Sequence, residues 1–141
     1  MMMLKTNLQI FMDTIWNQGD FSNLAQMVSN SYTVHHDVGD AWEGQTLNHE
    51  MFVERVMFSR NAFPDLHFDI QDMIAEDNRV VAFWMMSGTH DGDLPNLPKT
   101  GRPFKISGMT IYDFDADGKV CGHTQAYDRL GFLAQMGILG S

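Results

Sequence analysis

Arg79-Val-Val-Ala-Phe-Trp-Met-Met-Ser-Gly-Thr-His90 begins a series of three strand-like runs. The next is Phe104-Lys-Ile-Ser-Gly-Met-Thr-Ile-Tyr-Asp-Phe114, and Lys119-Val-Cys-Gly-His-Thr-Gln-Ala-Tyr-Asp128 ends the series. Each is rich in β-branched and aromatic residues and is bounded by turn formers, which is the local signature of a strand. The first two are separated by a loop containing Pro95 and Pro98. Asp115-Ala-Asp-Gly118 joins the second to the third as a tight turn, with glycine where a positive φ is needed. Just upstream, Leu66, Phe68, Ile70 and Ile74 alternate along another strand that ends in the turn Ala75-Glu-Asp-Asn78. Successive strands joined by short turns are antiparallel neighbours.

Before Pro64 the period is helical. Leu4, Leu8, Phe11, Met12, Ile15 and Trp16 share a helical face that stops at Gly19. Asp20 can cap a second short helix carrying Phe21, Leu24, Met27 and Val28. Tyr32-Thr-Val-His-His36 reads as a short strand, and Phe52, Val53, Val56, Met57, Arg60 and Phe63 as a third helix closed by Pro64. Leu130, Leu133, Ala134 and Ile138 form a terminal helical segment. Helices grouped ahead of antiparallel strands predict an α+β domain with the helices on one face of the sheet. With no repeat, linker or low-complexity tract, residues 1–141 are expected to form one domain.

The chain carries nine Lys and Arg against 18 Asp and Glu, a formal net charge of -9. That balance speaks against nucleic acid and against anionic membrane surfaces as partners, since both need cationic stripes. No run approaches the length of a membrane span, nothing after Met1 reads as a secretion signal, and Cys121 is the single cysteine. A cytoplasmic location is the expectation. The six histidines lack metal-ligand spacing such as His-Glu-x-x-His, there is no glycine-rich phosphate loop, and no nucleophile elbow. Neither metal nor organic cofactor is expected.

Strict alternation assigns faces. Val80, Ala82, Trp84, Met86 and His90 share one side of their strand; Val120, Gly122, Thr124, Ala126 and Asp128 share one side of the last. Small residues in a row beside a tryptophan leave volume that a packed core would fill, which predicts a pocket pointing at a carboxylate. The first helix, through Phe11, should close it. The opposite face, with Val81, Phe83, Met85, Met109 and Ile111, is more apolar than a water-facing sheet needs and predicts a homodimer interface.

The order helix–helix–strand–helix–sheet resembles the cone-shaped α+β barrel of the nuclear transport factor 2-like and ketosteroid isomerase-like proteins. Several segments resemble the SnoaL-like polyketide (ester) cyclases in particular: Trp16-Asn-Gln-Gly-Asp20, Val34-His-His-Asp37, Ala62-Phe-Pro-Asp-Leu66, Asp72 to Asp77, Gly88-Thr-His90, Thr100-Gly101, His123, Asp128 and Leu133-Ala-Gln-Met-Gly137. Lys99, Gly122 and Thr124 depart from that pattern. The resemblance implies a cofactor-independent enzyme that closes a ring on a small hydrophobic carbonyl compound by intramolecular aldol chemistry. It further implies that Asp128 is the acid/base. A non-catalytic module holding a small apolar ligand, or a dehydratase or hydrolase on the same fold, are the alternatives.

Histidine and carboxylate side chains beside an apolar cavity are the groups such proton transfers need. Asp128, His90 and His36 are therefore the catalytic candidates, and Trp84, Thr124, Ala126, Trp42, Asp72, His123 and Phe11 the substrate-binding ones. Asp128 also precedes a helix, where it could be an N-cap. His35 and His36 alternate, so one of them should point inward, and the motif favours His36. Asp72 sits in the apolar phase of Phe68 and Ile70, as a second pocket carboxylate or a satisfied structural one. His123 is out of phase with Asp128 and is weighted below it.

Overall fold

The computed structural model describes residues 3–138. Four α-helices, a π-helical turn and six strands occur in the order α1 (Leu4–Phe11), π-turn (Met12–Trp16), α2 (Leu24–Met27), β1 (Val28–His36), β2 (Thr46–Leu47), α3 (His49–Ala62), β3 (His67–Glu76), β4 (Arg79–Thr89), β5 (Pro103–Phe114), β6 (Val120–Tyr127) and α4 (Arg129–Gln135). This is the α+β arrangement expected, with the long strands close to their sequence-derived limits. Val28, which helical periodicity places in the second helix, instead opens β1, and the two-residue β2 has no signal in the pattern.

The six strands form one sheet in the order β2-β1-β6-β5-β4-β3. All neighbours are antiparallel except β1 and β6, which run parallel. The sheet curves around α1 and α3. Leu8 and Phe11 from α1 and Met12 and Ile15 from the π-turn meet Val80, Ala82, Tyr112 and Phe114 from the strands in one buried core. Asn48 caps α3 by accepting a hydrogen bond from the Met51 N–H at 2.9 Å. Among the described residues no helix is long and apolar enough to cross a membrane.

Three of the four register shifts in the sheet decide which site side chains face the concave side. In β6, Val120 pairs with Phe114 and Gly122 with Asp113, so Cys121 is an extra residue with no partner. In β3, Ile70 pairs with Trp84 and Asp72 with Phe83, leaving Gln71 as the extra residue. In β1, Val34 pairs with His123 and His36 with Thr124, leaving His35. Each bulge flips the alternation for everything that follows it.

The convex face carries Val81, Phe83, Met85, Met109 and Ile111, half-buried except for Met109, which is 56% exposed. Ile74 joins this side at 65% exposure, because the Gln71 bulge turns it away from the core face shared by Phe68 and Ile70.

Candidate functional site

A cavity of about 570 Å³ opens between the concave sheet face, α3, α4 and the loops 37–45 and 91–102. Its walls are apolar and aromatic, among them Trp16, Trp42, Phe63, Trp84, Met86 and Ile106. The π-turn places Trp16 there: one extra residue in the helical ladder, seen in the Asn17 N–H to Met12 carbonyl bond of 2.9 Å, rotates the last turn toward the sheet. Trp84 lies across Gly108, where any side chain would collide with the indole. Trp42 meets Phe58 edge-on, with 5.5 Å between ring centroids.

The polar groups converge at one end of this apolar space. Asp37, 2% exposed, accepts through a single oxygen, Oδ2, from Arg55 Nη2 at 3.1 Å, His123 Nε2 at 2.8 Å and Gln125 Nε2 at 3.1 Å. Arg55 also donates Nε to Asp40 Oδ2 at 3.1 Å, and its guanidinium carbon lies 5.6 Å from the Trp16 ring centroid. On the other side of the imidazole, the Tyr32 hydroxyl is 2.6 Å from His123 Nδ1. Asp37 can only accept when ionised, so His123 carries its proton on Nε2 and Tyr32 donates to Nδ1. The result is a directed chain, Tyr32 to His123 to Asp37, with every donor matched to an acceptor.

Burial shapes the protonation of these groups. Desolvation lowers the His123 pKa below its ordinary value, partly opposed by the hydrogen bond to Asp37. Desolvation raises the Tyr32 phenol well above its ordinary range, and pushes Tyr112 up to about 12. For Arg55, burial works against the charge but is outweighed by Asp40 and its other partners, so the guanidinium is held even more firmly protonated. The cluster therefore rests as a neutral phenol, a neutral imidazole and a permanent cation between two acidic side chains.

Of the residues singled out from sequence, Trp84, Trp42 and His123 line the cavity. Gly122, Thr124, Ala126 and Asp128 do not, because the Cys121 bulge inverts β6 and turns His123, Gln125 and Tyr127 inward instead. Asp128 is exposed and caps α4, its Oδ1 accepting from the Gly131 N–H at 2.8 Å. This is the N-cap role left open above, and not the buried pocket carboxylate expected from the resemblance. Ala126 is exposed and Thr124 half-buried on the convex side. His36 is exposed beside Thr124, and His35 lies outside as well, 3.6 Å from Asp113, so neither points inward. Asp72 is exposed and bonds the Met73 N–H, the Gln71 bulge having removed it from the apolar phase.

His90 is fully buried, yet outside the cavity lining. Its ring packs against Phe63 at 5.8 Å, and its Nδ1 accepts from the Thr100 N–H at 3.2 Å. Phe11 is core, packed on Phe52 and Tyr112. Asp37, Arg55, Tyr32 and Gln125 complete the site, although none of them stands out in the sequence as a site residue. One signal was available: Phe52, Arg55 and Val56 share the buried phase of α3, and an arginine there needs a partner.

Helices packed on a curved, mostly antiparallel sheet around an aromatic cavity place the chain among the small α+β cones. Within it, a family model for SnoaL-like polyketide cyclases matches residues 6–136, and the chain belongs to that family. A candidate polyketide cyclase from Acidithiobacillus ferrooxidans is 40% identical over 96% of this chain and 97% of its own, with a TM-score of 0.87. IdmH from Streptomyces antibioticus, also a candidate polyketide cyclase, is 24% identical over 96% and 99%, TM-score 0.80. A SnoaL-like polyketide cyclase from Agrobacterium tumefaciens is 20% identical over 97% and 100%, TM-score 0.78. The last two show a shared fold alone. A comparison with curated protein sequences returns no match.

Proposed function

We propose that this protein is a cofactor-independent enzyme acting on a small hydrophobic carbonyl compound, with the intramolecular aldol closure of a polyketide-like chain as its reaction. The observation that carries this reading is the Tyr32–His123–Asp37 chain at the polar end of an otherwise apolar cavity. Aldol closure is redox-neutral and takes one proton from carbon and returns one to oxygen, so side chains of this kind are sufficient for it.

In the first step, a C–H proton beside a substrate carbonyl passes to Tyr32 Oη as the phenolic proton moves to His123 Nδ1. The C–H electron pair becomes the enolate, whose oxygen is stabilised by the Arg55 guanidinium. The imidazolium formed is stabilised by Asp37, which keeps its own charge. The enolate carbon then attacks a second carbonyl of the same molecule. The resulting alkoxide takes the proton from Tyr32, and His123 returns its proton to the phenol. Atoms and charge balance, and the enzyme ends as it began.

The test is turnover of a poly-β-keto ester by wild type, Tyr32→Phe and His123→Asn. Loss of general acid/base function costs about 10²- to 10⁴-fold in rate. Binding, followed by quenching of Trp16, Trp42 and Trp84 fluorescence, should persist in both variants. Full turnover in both overturns the mechanism. A second reading is favoured by one observation: both ring nitrogens of His123 already have protein partners. On that reading the cluster is structural and the protein only holds its ligand, which tight binding without turnover would identify. The assembly proposed with either reading is a homodimer through the convex face around Phe83 and Met109, and the proposed location is the cytoplasm.

A further inference from the structure

The chain of hydrogen bonds does not stop at Asp37. Gln125 Nε2 donates to Asp37 Oδ2, Gln125 Oε1 lies 2.8 Å from Thr110 Oγ1, and Thr110 Oγ1 lies 2.9 Å from Trp84 Nε1. Thr110 is fully buried and Trp84 nearly so. An indole N–H can only donate, so Thr110 accepts from Trp84 and has its own hydroxyl proton free for Gln125. That proton demands the amide oxygen, and the amide NH₂ must then face the carboxylate. A flipped amide would set its oxygen against Asp37 Oδ2 at 3.1 Å, acceptor against acceptor.

We propose that Thr110 is a positioning residue for His123, setting through Gln125 how much of the Asp37 charge falls on the imidazole that faces the phenol of Tyr32. The inference rests on the reading of Tyr32 and His123 as the proton relay and extends it to a residue two hydrogen bonds away from the imidazole's own partner. Three donors share one oxygen of Asp37. While Gln125 is held, Asp37 stays an ionised acceptor of moderate pull, His123 keeps its proton on Nε2, and Nδ1 stays open to Tyr32. Once the Thr110 hydroxyl is removed, nothing dictates the amide orientation. Gln125 can leave or flip, and the carboxylate's charge falls more fully on His123.

The groups facing the imidazole are Tyr32 on β1, Asp37 and Asp40 in the loop after it, Arg55 on α3 and Tyr112 on β5. Of these, Tyr112 also feels the Thr110 hydroxyl, and the others keep their places on substitution at position 110. Asp37 and Asp40 favour the imidazolium, whereas Arg55 opposes it. Loss of the Gln125 donor strengthens the first effect without touching the second, so the direction of change is upward.

The experiment is ¹⁵N NMR of the His123 ring in the full-length protein across pH, with the signal assigned by its absence in His123→Gln. Wild type should show the Nε2–H tautomer through its neutral range. Thr110→Val should raise the titration midpoint by about half to one pH unit, as one hydrogen bond to a charged group is worth on the order of one such unit. Thr110→Ser, which restores the hydroxyl, should titrate as wild type. Gln125→Met removes the same donor without disturbing Trp84, and covers the case in which Thr110→Val does not fold. An unchanged His123 midpoint in either folded variant overturns the proposal, even if thermal stability falls. Failure of the relay itself would appear separately, as undiminished turnover in Tyr32→Phe.

Discussion

Asp37→Asn tests whether the buried cluster is held by charge or merely by shape. Asp37 Oδ2 accepts from Arg55, His123 and Gln125 at 2% exposure, and its backbone N–H donates to Glu43 at 2.7 Å. An asparagine keeps the volume and one acceptor oxygen but removes the charge. Leaving one partner of a buried ion pair unmatched costs about 3–5 kcal/mol. Here Arg55 retains Asp40 at 2.9 Å, so the lower end applies and about 3 kcal/mol is expected. For a chain of this length each kcal/mol moves the midpoint by about 2–4 °C or slightly more, so the Tm should fall by roughly 6–12 °C. Differential scanning calorimetry checks the magnitude. The same variant should lower the His123 titration midpoint further, since the hydrogen bond to Asp37 is the largest influence that raises it. An Asp37→Asn protein that melts with wild type, with His123 titrating unchanged, would refute the charge argument. Removal of a buried carboxylate that three donors share cannot be silent if the charges matter.

Four further outcomes follow from the same structure. His123 has its folded pKa lowered, so the unfolded chain takes up the proton first as pH drops; stability from this group is complete above about 6.5 and is lost on acidification below it, a loss that His123→Gln should remove from the Tm–pH profile. Tyr112, raised from 10.0 to about 12, works in the opposite direction: the unfolded phenol ionises first, and roughly 3 kcal/mol should be lost between pH 10 and 12, less in Tyr112→Phe. Asp128→Ala should cost about 0.5–2 kcal/mol through loss of the α4 cap and leave turnover per folded molecule unchanged, whereas an acid/base role would remove turnover. Phe83→Lys together with Met109→Lys should give a monomer by light scattering where wild type gives a dimer; a wild-type monomer at micromolar concentration would remove the homodimer from the proposal.

Local pattern was enough for the class of fold. Alternation in Arg79–Thr89 and Phe104–Phe114, the glycine turn at 115–118 and the helical spacing of Leu8, Phe11 and Ile15 each answer to short-range physics: backbone sterics and the side a residue must hide from water. They specified an α+β domain with helices on one sheet face, and the order of elements together with the short motifs resembled its family. They also located a cavity beside Trp84. Side-chain identity was less legible, because a period of two carries across a strand only while the ladder is unbroken. Extra residues at His35, Gln71 and Cys121 break it, and each exchanges the two faces downstream. A bulge is an agreement between two strands about where pairing slips, and no single strand records it. Asp128, Thr124, Ala126, His36 and Asp72 consequently lie outside the cavity, and Asp37, His123 and Gln125 lie within it. Arg55 is the instructive exception: its place in the buried phase of α3 was written in the sequence, but the two carboxylates that justify it arrive from the loop after β1, a partnership only the folded chain creates.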